Sequence, residues 1–204
     1  MHGQSGNAYK PALMLALNKA DWEAKWVDFF NGGVRTPEFL AINDMGEVPV
    51  LIHGETTLTQ SAVILDYLSR HFGTFSIEES GEETRREGLR WLFWDNHKLT
   101  SYIATYRFLL NFAKTGDTPV TDFFAGRIRN TLKVLNGHLH GRDWMVGDKP
   151  TIVDLSLCGY LFWPDEFRVS WDDHPAIAGW LGRIKALDGW VHPYELMPGH
   201  PLPA

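Results

Sequence analysis

The chain has 204 residues, 44% hydrophobic and 22% charged, with 19 basic and 25 acidic side chains and a formal charge of −6. This is the composition of a globular protein able to bury a core; with no basic run, it offers a nucleic-acid backbone little to grip. The longest apolar run, residues 12–17, falls short of the roughly 20 residues of a membrane span and the ~7–15 of a secretory signal.

The single cysteine, Cys158, excludes an intrachain disulfide, a CxxC redox pair and a thiolate zinc cluster. No dinucleotide, P-loop, serine-hydrolase or zinc-protease motif occurs. A metal-free, cytoplasmic protein is the expectation.

In chain order, residues 8–17 are apolar nearly all round, the pattern of a buried helix. Proline is tolerated only in a first turn, so Pro11 sets the expected start near Asn7, a good N-cap residue. Trp26, Val27, Phe29 and Phe30, followed by Asn31-Gly32-Gly33, predict a strand over 22–30 closed by a loop. Residues 37–42 suit a short helix, 48–52 a buried strand, 53–55 a turn and 56–58 the return strand. From Gln60 the period changes: Ala62, Leu65, Leu68 and Phe72 recur at helical spacing. With a short N-terminal strand, this order is an α/β layer.

A polar stretch at 74–83 predicts a linker. Beyond it Leu89, Leu92, Leu99, Ile103, Tyr106 and Leu110 mark a long helix, and residues 122–139 another. Thr151 and Asp154 are spaced as an N-cap and its reciprocal partner, opening a third helix with Leu155, Cys158, Leu161 and Phe162 on one face; Cys158 there reads as a core residue. Residues 180–187 make a fourth. The expected division is an α/β domain over 1–73, a linker over 74–83 and an all-helical domain over 84–204. Pro49 stands inside a strand-like run although it cannot donate to a ladder. Either it marks a strand end with a cis bond, leaving neighbouring backbone free to pair, or the strand is a plain edge.

Two stretches carry a resemblance. Residues 46–51, Gly-Glu-Val-Pro-Val-Leu, with 58–68, Leu-Thr-Gln-Ser-Ala-Val-Ile-Leu-Asp-Tyr-Leu, resemble the glutathione-binding half of the glutathione S-transferases. Residues 143–154, Asp-Trp-Met-Val-Gly-Asp-Lys-Pro-Thr-Ile-Val-Asp, resemble the capping-box segment of that family's helical domain. The similarity spans nearly the whole chain. It implies a thioredoxin-like N-terminal domain, an all-helical C-terminal domain, a homodimer, glutathione as co-substrate without a metal, and detoxifying conjugation to hydrophobic electrophiles. Glutathione-dependent reduction of peroxides or disulfides, and a non-catalytic binding role on the same fold, are the alternatives.

On that resemblance the γ-glutamyl end of glutathione falls at Gln60 and Ser61, at a helix N-terminus where free N–H groups favour a carboxylate. Val48, before Pro49, pairs its backbone with the cysteinyl residue like an added strand. Arg35 is a candidate for the glycine carboxylate, with a solvated loop charge as the alternative reading. The segment around residues 4–10 is similar to the bacterial serine/asparagine pattern, which makes Ser5 the first choice as thiol partner and Asn7 the second. A cysteine-like thiol is only about 3% ionised at neutral pH. The aromatic residues Trp91, Trp94, His97, Tyr102 and Tyr106 are candidate walls for the second substrate in the cleft between domains, Trp91 and Trp94 reading also as core. The tail from His192 either folds over that cleft or is disordered. One departure stands out: the family's full first strand is here a stub, residues 1–3, because the start lies upstream or because the fold tolerates it.

Overall fold

The computed structural model describes residues 1–78 and 81–201; residues 79 and 80 of the expected linker, and Pro203 with its neighbours in the tail, lie outside the described residues. The chain divides into two units, Met1–Thr74 with Asp188–Ala204, and Phe75–Leu187. The first boundary falls where the composition turns polar. The second differs from the sequence-based division: the C-terminal segment, grouped above with the helical half, belongs to the first unit.

In the first unit, helix α1 (Gly6–Leu17) is capped by Ser5, whose Oγ accepts the Ala8 N–H at 3.1 Å. The expected cap, Asn7, lies in the first turn instead, and Pro11 sits inside the helix. No strand forms over 22–30. The backbone there meets the N-terminal residues at two bonds, too few for a ladder: the Met1 amine donates to Lys25 O at 2.6 Å and Val27 N–H donates to Met1 O at 3.0 Å. After the short helix α2 (Pro37–Leu40), the Val48–Pro49 bond is cis. Strands β1 (Val50–His53) and β2 (Thr56–Thr59) then pair antiparallel, Val50 opposite Thr59 and His53 opposite Thr56. Helix α3 (Ser61–Phe72) ends at Gly73, whose φ of 65° is the left-handed helix stop glycine adopts without steric cost. It packs against α1 through Leu13, Met14, Ile64 and Leu65, all fully buried.

In the second unit, α4 (Glu82–Trp94) and α5 (Thr100–Arg107) are joined by a π turn at Asp95–Leu99 and followed by another at Phe108–Phe112. They form the expected long helix. Helix α6 (Pro119–Leu139) follows a Thr118–Thr121 capping box. Helix α7 (Ile152–Leu157) opens on the expected Thr151–Asp154 box. The Asp154 carboxylate also accepts from Met145 N–H at 2.9 Å and from the Trp180 indole at 2.8 Å, so the box ties α7 to helix α8 (Pro175–Lys185). Buried Arg107 is held by Glu166 at 2.6 Å and lies over the Trp163 ring at 3.9 Å, a paired charge on an aromatic face rather than a bare one. Cys158 is fully buried. Among the described residues no helix is long and apolar enough to cross a membrane, and no group of three or more His, Cys, Asp or Glu is placed to hold a metal ion.

Candidate functional site

The first unit brings several of the expected residues together, because packing α1 against α3 aligns their N-terminal ends. The Ser61 hydroxyl, 5% exposed in the first turn of α3, donates to Asn7 Oδ1 in the first turn of α1 at 3.4 Å. Two helix N-termini therefore meet, each with free N–H groups and the positive end of a dipole. Ser5 stands one residue before α1. Its oxygen already accepts from Ala8 N–H, and its hydroxyl proton remains available to donate.

Gln60, just before α3, has φ 66° and ψ 116°, a backbone strain of the kind that gathers at functional sites. Its amide donates to the Glu47 carboxylate at 3.0 Å and lies 3.3 Å from Met45 Sδ. Glu47 leads into Val48 and the cis Pro49. Neither the N–H nor the C=O of Val48 bonds to another described residue, so both are available to an added extended segment. Arg35 is exposed, with its guanidinium against Gly46; a Cβ at Gly46 would come within 2.9 Å of it, and the φ of 63° there also demands glycine.

The sequence reading assigned no role to Glu47. The signal was its place beside Val48, but the pairing with Gln60 depends on a turn of chain that spacing does not reveal. The aromatic set lies in the second unit. Trp91 is core, its ring 5.0 Å from that of half-buried Trp94. His97 is exposed in the first π turn, and Tyr102 is half-buried with Lys98 Nζ donating to its hydroxyl at 3.4 Å. Tyr106 is 4% exposed and packs in the core of that unit.

Residues 2–70 match the N-terminal domain of glutathione S-transferase, and residues 99–188 match its C-terminal domain. The chain belongs to the glutathione S-transferase family. Its fold is accordingly a thioredoxin-like domain followed by an all-helical one, and the small antiparallel sheet with many helices agrees with that. The chain is similar to a solved possible glutathione S-transferase from Rhodopseudomonas palustris, with 31% identity, a TM-score of 0.87, and coverage of 100% of this chain and 90% of that one. It is 26% identical over 187 residues to the disulfide-bond oxidoreductase YfcG of Escherichia coli, covering 88% of this chain and 86% of that protein. A glutathione transferase from Pseudomonas putida, solved with one glutathione disulfide bound per subunit, shares the fold at 22% identity and a TM-score of 0.80, over 91% of this chain and 85% of that one.

Proposed function

We propose that this member of the family binds glutathione and joins its sulfur to hydrophobic electrophiles. The observation that carries the reading is the Ser61–Asn7 bond, which sets two helix N-termini beside the Ser5 hydroxyl. In this reading the γ-glutamyl carboxylate takes the N–H groups at Ser61, and on binding the single Ser61 hydroxyl proton turns from Asn7 Oδ1 to the carboxylate. Its ammonium lies against Glu47 and the Gln60 carbonyl oxygen. The cysteinyl backbone pairs with Val48, next to Pro49, and the glycine carboxylate meets Arg35. The sulfur then lies at the mouth of α1.

Ser5 donates to the thiolate, with the Asn7 amide as the second choice. Lowering a thiol pKa from about 8.5 to about 6.5 needs roughly 2.7 kcal/mol. One charge-assisted hydrogen bond supplies about 1.5–3 kcal/mol and a helix N-terminus about 0.3–2. A single hydroxyl on a helix cap is therefore enough. The thiolate attacks an electrophilic carbon; the C–S bond forms and the leaving group departs with its bonding electrons. Trp94, His97 and Tyr102 keep their candidate role as walls for the apolar substrate, and Tyr106, buried in the core of its unit, does not. The homodimer and cytoplasmic setting belong to the same reading.

A second reading is glutathione-dependent reduction of a disulfide, favoured by the similarity to YfcG and by a transferase of this fold holding glutathione disulfide. Cys158 is fully buried, so here glutathione supplies both sulfurs. One thiolate displaces a thiolate from the substrate disulfide, and a second glutathione resolves the mixed disulfide. Calorimetric titration with glutathione, followed by comparison of an aryl halide with a mixed disulfide as substrate, separates the cases. Binding with aryl-halide turnover supports conjugation; disulfide turnover alone supports reduction; no binding at millimolar glutathione removes both.

A further inference from the structure

Residues 188–200 run along α1 from its C-terminal end to its N-terminal turn. Asp188 pairs with Lys19 at 2.7 Å, and Gly189, with φ 93°, passes so close that a Cβ would lie 2.7 Å from Ala16 O. The Tyr9 hydroxyl, in the middle of α1, donates to Val191 O at 2.8 Å. After the short helix α9 (Pro193–Leu196), the segment reaches the turn that precedes α1. That turn is closed by Ser5 N–H donating to His2 O at 3.1 Å, with Gly3 and Gln4 as its central residues.

Both central residues are held by the tail. Gly3 N–H donates to Pro198 O at 2.7 Å. The buried Gln4 amide donates to Gly199 O at 3.2 Å and contacts His200 Nδ1 at 3.1 Å. The tail is itself seated: Met197 is buried, the His200 ring stacks on Tyr194 at 3.5 Å, and Gly199 lies on Trp26, whose ring a Cβ would overlap.

We propose that Met197–His200 is a clasp on the Gly3–Gln4 turn, with Gln4 and His200 as positioning residues that hold Ser5 in register for the glutathione sulfur. The inference rests on the reading of Ser5 as the sulfur's partner. Its physical basis is that a hydroxyl must be held to within a fraction of an ångström to favour the thiolate over the thiol. His2, which opens the turn, is seated by ring contacts with Trp26, Phe29 and Phe30, and the tail holds the two central residues that lead from it to Ser5.

The test uses Gln4→Ala, which removes the amide without adding atoms, and Gly199→Ala, which pushes the tail off Trp26. Each is mixed with saturating glutathione at neutral pH, and affinity, ultraviolet thiolate absorbance and turnover are measured. The expected result is affinity within about threefold of the parent, but thiolate absorbance and kcat lower by at least about threefold with KM for glutathione unchanged. Adding Gln4→Ala to Ser5→Gly should then cause no further loss of thiolate. Lys19→Ala, at the far end of the tail, should leave all three readouts unchanged, because its ion pair is exposed. If the parent shows the thiolate band and both variants keep it, or if they lose only affinity, the clasp is overturned while the transferase reading stands. If the parent binds no glutathione, that reading falls and the clasp with it. If Gly199→Ala fails to fold by circular dichroism, Gln4→Ala decides alone.

Discussion

Ser61 Oγ donates to Asn7 Oδ1 at 3.4 Å, a long hydrogen bond that ties the first turn of α3 to the first turn of α1. The link joins residues 54 apart in the chain, and under the proposed function it spaces the amino-acid end of the tripeptide from its sulfur end. Ser61→Ala removes both the bond and a hydroxyl offered to the γ-glutamyl carboxylate. Glutathione affinity should fall roughly tenfold, the equivalent of about 1.4 kcal/mol, with kcat at saturation little changed. Calorimetric titration checks it; unchanged affinity would remove the carboxylate from α3.

Ser5 caps α1 and, under the proposed function, also donates to the thiolate; one substitution separates the two. As the N-cap of α1 its replacement by alanine costs about 1 kcal/mol, whereas glycine costs only a few tenths. Ser5→Gly should keep its urea midpoint near that of the parent. Turnover at neutral pH should fall by roughly 10- to 100-fold with glutathione affinity little changed, because the lost bond is specific to the thiolate. Should Asn7→Ala abolish turnover while Ser5→Gly retains it, the two residues exchange roles.

Local chemistry made much of this legible in the sequence. The Thr151–Asp154 box, the Gly54-Glu55 turn and the helix after Gln60 each follow from residues within one turn of each other, and all are present. Two readings failed, the first through a distant partner and the second through a local rule applied too strictly. The apolar residues from Trp22 to Phe30 have the composition of a strand, but composition cannot show whether their backbone finds a ladder, and here, among the described residues, it bonds to Met1 at two points alone. Placing the cap at Asn7 assumed that Pro11 must lie in the first turn; α1 starts earlier, with Ser5 as its cap and Pro11 inside it. The pairing of Glu47 and the seat of the tail on the turn before α1 were not legible for the same reason as the first. Their partners, Gln60 and Gln4, lie 13 and 195 residues away along the chain, a separation that no spacing rule spans.

Asp154 concentrates a large share of the helical unit's polar bonding in one fully buried carboxylate. It accepts from Thr151 N–H at 2.8 Å, Thr151 Oγ1 at 3.2 Å, Met145 N–H at 2.9 Å and Trp180 Nε1 at 2.8 Å. Burial pushes its pKa up, and these four donors pull the other way. Asp154→Ala leaves the donors without an acceptor and should cost roughly 3 kcal/mol or more. Asp154→Asn keeps one oxygen and should cost less. Urea denaturation of both variants measures the difference, and equal stabilities would show that the network carries no such weight.

His138 gives the helical unit a pH dependence whose sign is fixed by its surroundings. Its Nε2 lies 2.8 Å from Met145 O and its ring sits 4.3 Å from the Trp91 ring, pinning the segment before α7 to the end of α6. Desolvation is the largest influence and lowers its pKa below 6.5; the bond to Met145 O opposes this, and nearby Arg142 adds to the lowering. Between the folded value and 6.5 the unfolded chain holds a proton that the folded chain does not. Stability therefore rises with pH through that window and loses the His138 contribution as pH falls below it. Histidine NMR should show His138 titrating below the ordinary imidazole range. Denaturation midpoints should rise as pH climbs toward the ordinary imidazole value of about 6.5, and His138→Gln should flatten that rise. A His138 resonance titrating above 6.5, or a variant with the parent's slope, would place the pH dependence elsewhere.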